Sequence, residues 1–433
     1  MDTIKIGLLG CGVVGTGVVK QLISNQENIA RNTGCRLEIK RVLVRDLNKN
    51  RSLDLPRKVF TDQADDIIND PEIQIVVELI GGIEPAKSYI LASFAKGKNV
   101  VTANKDVLAA HGREIFAAAE EYQKDLRFEA SVAGGIPIIQ PLKDSLAGNR
   151  IKEVLGIVNG TTNYILTKMA LEGKEFAEAL AKAQELGYAE ADPSADVDGL
   201  DAARKIAILA SIAFRTRVSV DQVYVEGIRD ISALDIVYAQ ELGYTIKLLG
   251  VAKEVNGEVD VRVHPVMIPN NHPLATVNDV YNAVFVEGDA VGQTMFFGPG
   301  AGELPTASSV VGDIMAIAKH IRLGITGQLT GCTCYYNKPI RPIGQLNSSY
   351  YLRLLVQDQP GVLANIAGVL SQHQVSIASV LQKRTLGHLA EIVIVTHEVK
   401  EADFMASMAE IRELPPVEKV DSIIRVESTN SNG

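Results

Sequence analysis

The sequence predicts an α/β chain in three parts: an open parallel sheet flanked by helices, an α+β middle segment, and a small closing module of βαββαβ order. Three observations carry this. The apolar run TIKIGLLG passes into Gly10-x-Gly12-x-x-Gly15 and then into a helical pattern, the strand–turn–helix order of a doubly wound sheet. A helix apolar on every side, IAILASIAF, sits mid-chain among long strand-like segments. From residue 349 strand and helix patterns alternate over the length of one small domain. A chain of 433 residues has room for two or three ordinary cores. The boundaries read as 1–134 for the first domain, completed by a returning helix at about 303–325, then 135–302, a linker 326–348, a module 349–427 and a disordered tail 428–433.

Composition sets limits on function. An apolar fraction of 46% and a charged fraction of 22% are those of a soluble globular protein. A net charge of −9 without a long basic run argues against nucleic acid or an anionic membrane as partner. Cys11, Cys35, Cys332 and Cys334 form neither a CxxC pair nor an even framework, so they read as reduced thiols of a cytoplasmic protein. No apolar run approaches the ~18 residues of a membrane span. The start MDTIKIGLLGCGVVGTGVV lacks the basic region and cleavage site of a signal peptide.

In the first domain each glycine has a task. Gly10 permits the tight turn, Gly12 lets the backbone approach a pyrophosphate, and Gly15 lets helix and strand pack closely. A second strand, RLEIKRVLV, follows the helix and supplies the context of a Rossmann-type dinucleotide-binding domain. Arg45-Asp46 stands at its end, where the adenosine ribose would lie. Arg45 suits a 2′-phosphate and favours NADP(H); Asp46 and Lys49 leave NAD(H) open. IQIVVELIGG, the helix PAKSYILASFAKG and the strand NVVTANKDVLA come next. Ligands bind beyond the carboxyl ends of such strands, which places Glu78, Gly81, Gly82, Thr102, Asn104 and Lys105 at that edge. Lys105 is either a cation beside nicotinamide or substrate, or a helix-start lysine in solvent. DLRFEASVAGGIPII runs into a glycine-rich turn whose carbonyls can serve a structural cation or face water.

The middle segment opens with a strand, a threonine-capped helix ending at Gly173, and an amphipathic helix closing at Gly187. Then comes EADPSADVDGLDAARK, from Glu190 to Lys205. A helix starting at Asp198 or Gly199 sets Asp198, Asp201 and Lys205 on one face. Burial at a core edge is costly for either charge alone and tolerable for a pair, or for a site that a polar ligand completes. The alternative is a surface i,i+4 pair. YTIKLLGVAKEVNGEVDVRVHPVMIP reads as a meander turning at Asn256-Gly257, and the strand-rich run after it completes a substrate and dimerisation domain. His264 and His272 each precede proline and read as structural. The loop GPGAGELPTASS can return to the cofactor, with Gly302 near it.

With the glycine loop, TANK and EADPSADVDGLDAARK in place, residues 1 to about 325 closely resemble homoserine dehydrogenase. The resemblance implies reduction of L-aspartate 4-semialdehyde to L-homoserine with NADPH or NADH, in the pathway towards threonine, methionine and isoleucine. It implies Lys205 as proton donor, with Glu190, Asp201, Asp196 and Lys105 on the substrate. It implies Gly10, Gly12, Val13, Val14, Gly15, Arg45, Thr102, Lys105, Gly187 and Gly302 on the cofactor, and a sodium ion on the backbone around Glu129, Val132, Gly134 and Ile136. Elementary chemistry agrees, since charge building on an aldehyde oxygen needs a donor and no zinc-type Cys/His spacing is present. Partial burial would lower the Lys205 pKa and Asp201 would raise it, leaving the net direction open.

The closing module reads strand YYLRLLVQ, loop and helix DQPGVLANIAGVLSQHQ, strands VSIASVLQK and LAEIVIVTH, helix EADFMASMAEIREL and strand VDSIIRVE. Asp358-Gln-Pro-Gly361-Val362-Leu363 resembles the ligand loop of ACT domains, which bind amino acids and pair through their sheets. That resemblance implies L-threonine as effector, lined by Asp358, Gly361, Val362, Leu363 and Ile377, and a homodimer or homotetramer. An unliganded dimerisation module is the plainer reading. Two alternatives stand beside the enzyme. One is another amino-acid dehydrogenase of similar plan. The other is a non-catalytic NADP(H) and amino-acid sensor, which would not need Lys205 and Asp201 on one helix.

Overall fold

The computed structural model describes residues 2–49, 51, 53–328 and 331–427; the predicted tail at 428–433 lies outside the described residues. The chain folds as two compact units. One comprises Met1–Val154, Arg204–Asp221 and Asn282–Asn337, and the other Leu155–Ala203, Gln222–Tyr281 and Lys338–Gly433.

The first unit holds β1 (Thr3–Leu9), β2 (Arg36–Leu43), β3 (Phe60–Thr61), β4 (Ile73–Glu78), β5 (Asn99–Thr102) and β6 (Leu126–Arg127). They form one sheet in the order β3-β2-β1-β4-β5-β6, every pair parallel. Parallel strands are covered on both faces, which is why Ile6, Leu8 and Leu9 follow one another fully buried. The order reverses between β1 and β4, and a ligand crevice opens at such a point. β5 stops sooner than its apolar run predicted. Asn104 accepts a hydrogen bond from the Val107 N–H and starts the helix Lys105–Glu121 there. β6 is cut to two residues by the 3₁₀ turn Glu129–Ser131. The helix Glu303–Leu323 packs on the helix Val13–Ser24. A Cβ on Gly17 would stand 2.5 Å from the Glu303 carbonyl oxygen, so only glycine allows this approach.

The second unit contains β7 (Tyr224–Val225), β8 (Tyr244–Val255), β9 (Glu258–Pro269), β10 (Asn347–Gln357), β11 (Ile377–Leu386), β12 (Leu389–Thr396), β13 (Val399–Lys400) and β14 (Val417–Val426). β8 and β9 pair antiparallel from Tyr244↔Pro269 to Val255↔Glu258, turning on Asn256 and Gly257, both at positive φ. The strand order is β8-β9-β14-β10-β12-β11; β7 pairs with β9 and β13 with β10. With the helices Val362–Gln372 and Glu401–Arg412, the C-terminal stretch has the βαββαβ order. Its last strand, β14, runs parallel to β9 at Val266↔Arg425 and Met267↔Val426, so this module and the hairpin share one sheet.

Buried charge stitches the second unit together. Arg425 reaches Glu401 at 2.6 Å and both oxygens of Glu226 at 3.0 Å. Arg353 on β10 donates to Asp235 at 2.8 Å, to Asp421 at 3.1 Å and to Glu391 at 3.3 Å. Asp235 also closes a capping box with Ser232 at the start of the helix Ala233–Glu241. His264 is a core histidine, accepting from Arg262 Nε on Nε2 and hydrogen-bonded through Nδ1 to the Pro265 carbonyl; burial holds its pKa well down. No helix among the described residues is long and apolar enough to cross a membrane.

Candidate active site

The glycine turn lies between β1 and the helix Val13–Ser24. Gly10 has φ +107, and a Cβ there would meet the Leu79 carbonyl oxygen at 2.8 Å. A Cβ on Gly15 would stand 2.5 Å from the Gly10 oxygen, whereas Gly12 has nothing within 4 Å. The turn is thus tight behind and open in front. Val13, on the first helical turn, is 66% exposed although apolar, and Val14 is partly buried. Such a helix start, with uncapped N–H groups and free space, fits a dinucleotide pyrophosphate.

Arg45 is exposed just past β2. The Asp46 carboxylate accepts the N–H of Asn48 at 2.8 Å, so it is occupied within its own turn. Arg51, which the sequence reading missed, donates to the Asp46 carbonyl at 2.9 Å, and its charge reaches the Cys11 thiol beside Gly10. Its signal was present as a second arginine in the loop after β2.

Beyond β4, Glu78 is fully buried and accepts from Ile80 N–H, Gly81 N–H and Thr102 Oγ1. The Thr102 hydroxyl also accepts the Asn104 N–H, and Asn104 donates to the Gly82 carbonyl. Of the residues predicted at this edge, Glu78, Thr102 and Asn104 therefore hold the loops through their side chains. Thr102 is completely buried, its hydroxyl shared between Glu78 and the Asn104 N–H. Lys105, half-buried, begins the next helix. The neighbouring Asp106 pairs with Arg204 Nε at 3.0 Å, which ties this helix start to the residue before Lys205.

Lys205 is half-buried on the helix Leu200–Ala213, one turn after the buried Asp201. The helix starts later than predicted. Gly199, at φ +82, breaks the chain between the short turn Ser194–Val197 and the helix, and a Cβ there would stand 3.1 Å from Val225 and 3.2 Å from the Glu226 oxygen. Asp198 therefore leaves the face shared by Asp201 and Lys205, and its carboxylate pairs with Arg229. The second correction concerns Asn159. This residue, not a threonine, caps the helix Gly160–Glu172, accepting from the Thr162 N–H. Its amide then has both hydrogens free, and they go to Asp196 Oδ1 at 2.7 Å and Asp201 Oδ2 at 2.9 Å. One side chain thus brings together two predicted substrate residues 37 and 42 positions away. An asparagine just before a helical run was the cap signal that could have found it. Thr161 donates to the Tyr188 carbonyl in the following loop. Glu190 is exposed, and Gly187 is an open turn at φ +76.

Gly302 caps the returning helix at φ +127, exposed. The loop before it docks on the glycine turn after β6, where Gly135 N–H bonds the Pro299 oxygen at 3.1 Å. In that turn Glu129 is buried, its carboxylate accepting from the N–H groups of Ile138, Ile139 and Gln140. Val132 and Ile136 are buried, and Ala133 and Gly134 lie at positive φ, which swings successive carbonyls about. Ser309 donates to the Gly134 oxygen at 2.7 Å. A set of hard carbonyl oxygens fits an alkali or alkaline-earth ion in its chemistry.

Asp313, fully buried below this turn, accepts the Glu129 N–H at 2.8 Å. Burial and then the Glu129 charge raise its pKa from 3.8 to about 7. The folded chain thus holds a proton that the unfolded chain releases. Asp313 contributes stability that is complete below pH 3.8 and is lost as pH rises through about 7. In Asp313→Asn the urea midpoint is expected to lose this fall across the same window. An unchanged slope would mean that Asp313 is ionised in the fold.

In the closing module Asp358 is exposed, its N–H bonded to the His388 oxygen at 2.9 Å. Gly361, at φ +91, opens the helix that begins with buried Val362 and exposed Leu363; Ile377 starts β11 half-buried.

A doubly wound sheet with an open glycine turn, and a lysine one helical turn past a buried acid, defines a nicotinamide-dependent oxidoreductase. Comparison with known proteins narrows this. Residues 10–129 match the family model "Homoserine dehydrogenase, NAD binding domain", 137–315 match "Homoserine dehydrogenase" and 350–416 match "ACT domain". The chain is 47% identical to a homoserine dehydrogenase of Bacillus subtilis, over 99% of both chains. It is 42% identical, with a TM-score of 0.94 over 99% of each chain, to the crystal structure of a homoserine dehydrogenase from Thiobacillus denitrificans. It is 27% identical, with a TM-score of 0.61, to a hyperthermophilic archaeal homoserine dehydrogenase in complex with NADPH, covering 73% of this chain and 97% of that one. The chain belongs to the homoserine dehydrogenase family.

Proposed function

We propose that the chain interconverts L-aspartate 4-semialdehyde and L-homoserine, with Lys205 as proton donor and NADP(H) as coenzyme. The observation that carries this reading is the acid pair Asp196 and Asp201, held on Asn159 at the start of the helix that bears Lys205. The nicotinamide, when bound, supplies the reducing equivalent. Gly10, Gly12, Val13, Val14 and Gly15 cradle the pyrophosphate, and Gly187 and Gly302 border the coenzyme. Asp196, Asp201 and Glu190 accept hydrogen bonds from the ammonium and hydroxyl of the amino-acid substrate. Lys205 hands its proton to the aldehyde oxygen as negative charge builds there, and Lys105 adds positive charge nearby.

Steady-state kinetics with homoserine test this. Sustained formation of reduced coenzyme supports the enzyme; coenzyme binding without turnover supports the sensor. The cofactor preference rests on Arg45 and Arg51 standing past β2 while Asp46 is engaged in its own turn. Arg45→Ala is expected to lower kcat/KM for NADP by about tenfold and leave the NAD value nearly unchanged. A loss of one charge-assisted phosphate contact of about 1.5 kcal/mol corresponds to that factor. Equal losses with both coenzymes would remove Arg45 from the 2′-phosphate.

The functional division is a dinucleotide-binding domain 1–134 with the helix at 303–325, a substrate and dimerisation domain 135–302, a linker 326–348 and a regulatory domain 349–427. A sodium ion on the carbonyls of Glu129, Val132, Gly134 and Ile136 would brace the turn after β6. L-Threonine on Asp358, Gly361, Val362, Leu363 and Ile377 would report end-product level, in a cytoplasmic homodimer or homotetramer.

A further inference from the structure

Cys332 and Cys334 are both partly exposed thiols of the first unit. Cys334, two residues on, stands close enough for its thiol and its backbone N–H to stabilise the Cys332 thiolate. Arg217 Nη2 stands 3.9 Å from it, and Lys143 Nζ bonds the Gly331 carbonyl, one residue away, at 3.3 Å. The two cysteines line a cavity of about 140 Å³ with Arg113, Lys143, Arg217 and the apolar side chains of Phe116, Phe128 and Ile208. Three cations and no carboxylate line this cavity among the described residues, and the charges of Arg217 and Lys143 act on the Cys332 thiol. The hydrogen bond from Cys334, and then the charges of Arg217 and Lys143, bring the Cys332 thiol down to about 6 against the effect of burial. The Cys334 thiol is raised, first by holding the shared proton. Cys35 by contrast is fully buried, and burial raises the Cys11 thiol.

We propose that Cys332 and Cys334 form a hydroperoxide-oxidisable dithiol, with Cys332 the attacking thiolate and Cys334 the resolving thiol. The Cys332 sulfur attacks one peroxide oxygen and the O–O bond breaks. The departing oxyanion takes a proton from solvent, and Cys332, oxidised by two electrons, becomes a sulfenic acid. The Cys334 sulfur then attacks Cys332, the S–O bond breaks, and hydroxide leaves with the Cys334 proton as water. A dithiol reductant reverses the product disulfide. Cys334 Sγ also lies 3.9 Å from the Ser211 carbonyl, on the last turn of the Lys205 helix, so the pair sits against an element of the active site.

The test uses the full chain at neutral pH with stoichiometric hydrogen peroxide, followed by alkylation and peptide mass spectrometry. The expected product is a Cys332–Cys334 link that dithiothreitol removes, with Cys11 and Cys35 still thiols. In Cys334→Ser the reaction should stop at a sulfenic acid on Cys332, captured by dimedone. In Arg217→Gln iodoacetamide labelling of Cys332, followed below its pKa, should slow by about tenfold for each pKa unit gained. If peroxide leaves both thiols free, or if Cys332 labels no faster than Cys11, the proposal is overturned.

Discussion

Lys205→Ala is expected to lower kcat by about 10²–10⁴-fold, the range for losing a positioned general acid, while the coenzyme Kd stays within about twofold of normal. Lys205 stands one turn past Asp201 on a helix whose remaining residues are almost all buried. Alanine is the best helix former, so the helix survives the change. Asp201 keeps its hydrogen bond from Asn159 at 2.9 Å and is not left alone with its charge. The loss should therefore fall on turnover and not on folding. An ammonium that only bound substrate would raise KM and spare kcat, and that split separates the two roles. Lys205→Arg should not restore turnover, because a guanidinium does not release its proton near neutral pH. Near-normal kcat in the alanine variant would take Lys205 out of the chemistry.

Arg353→Met is expected to cost about 3–5 kcal/mol of stability, read from urea unfolding, because it leaves two buried carboxylates without their cation. Asp235 is fully buried and Glu391 nearly so. Each has other partners: Tyr351 donates to Asp235 at 3.1 Å and Tyr238 to Glu391. Hydroxyl donors ease such a charge but do not balance it. Changing Arg353, Asp235 and Glu391 together to apolar residues should recover much of the loss, since a buried ionic cluster is often replaceable by well-packed hydrocarbon. A single variant within 1 kcal/mol of the parent would mean that water reaches the cluster. Arg353 is on β10 of the C-terminal module, whereas Asp235 caps the helix Ala233–Glu241. The same ion cluster thus joins the C-terminal module to the helix packed on it, and its loss should release both.

Much of this was legible before folding. The strand β1, the turn of Gly10, Gly12 and Gly15, the Asn256-Gly257 hairpin and the βαββαβ order are written in patterns a few residues long. A positive φ at Gly10 or at Asn256 and Gly257 depends on neighbours in the chain, so local chemistry specifies it. The helix start expected at Asp198 or Gly199 moved to Leu200 because Gly199 sits at φ +82, outside helical geometry, and the close approach of β7 leaves no room there for a side chain.

What could not be read were meetings between distant residues. Asn159 looks like a helix cap and nothing more until the fold sets Asp196 and Asp201 against its two amide hydrogens. Asp106 meets Arg204, Arg353 meets Asp235, and Arg217 meets Cys332 across gaps of roughly a hundred residues. A polar pair of that kind leaves no periodicity behind. It exists because packing the apolar faces brings the two ends together, and burial then makes each charge depend on the other.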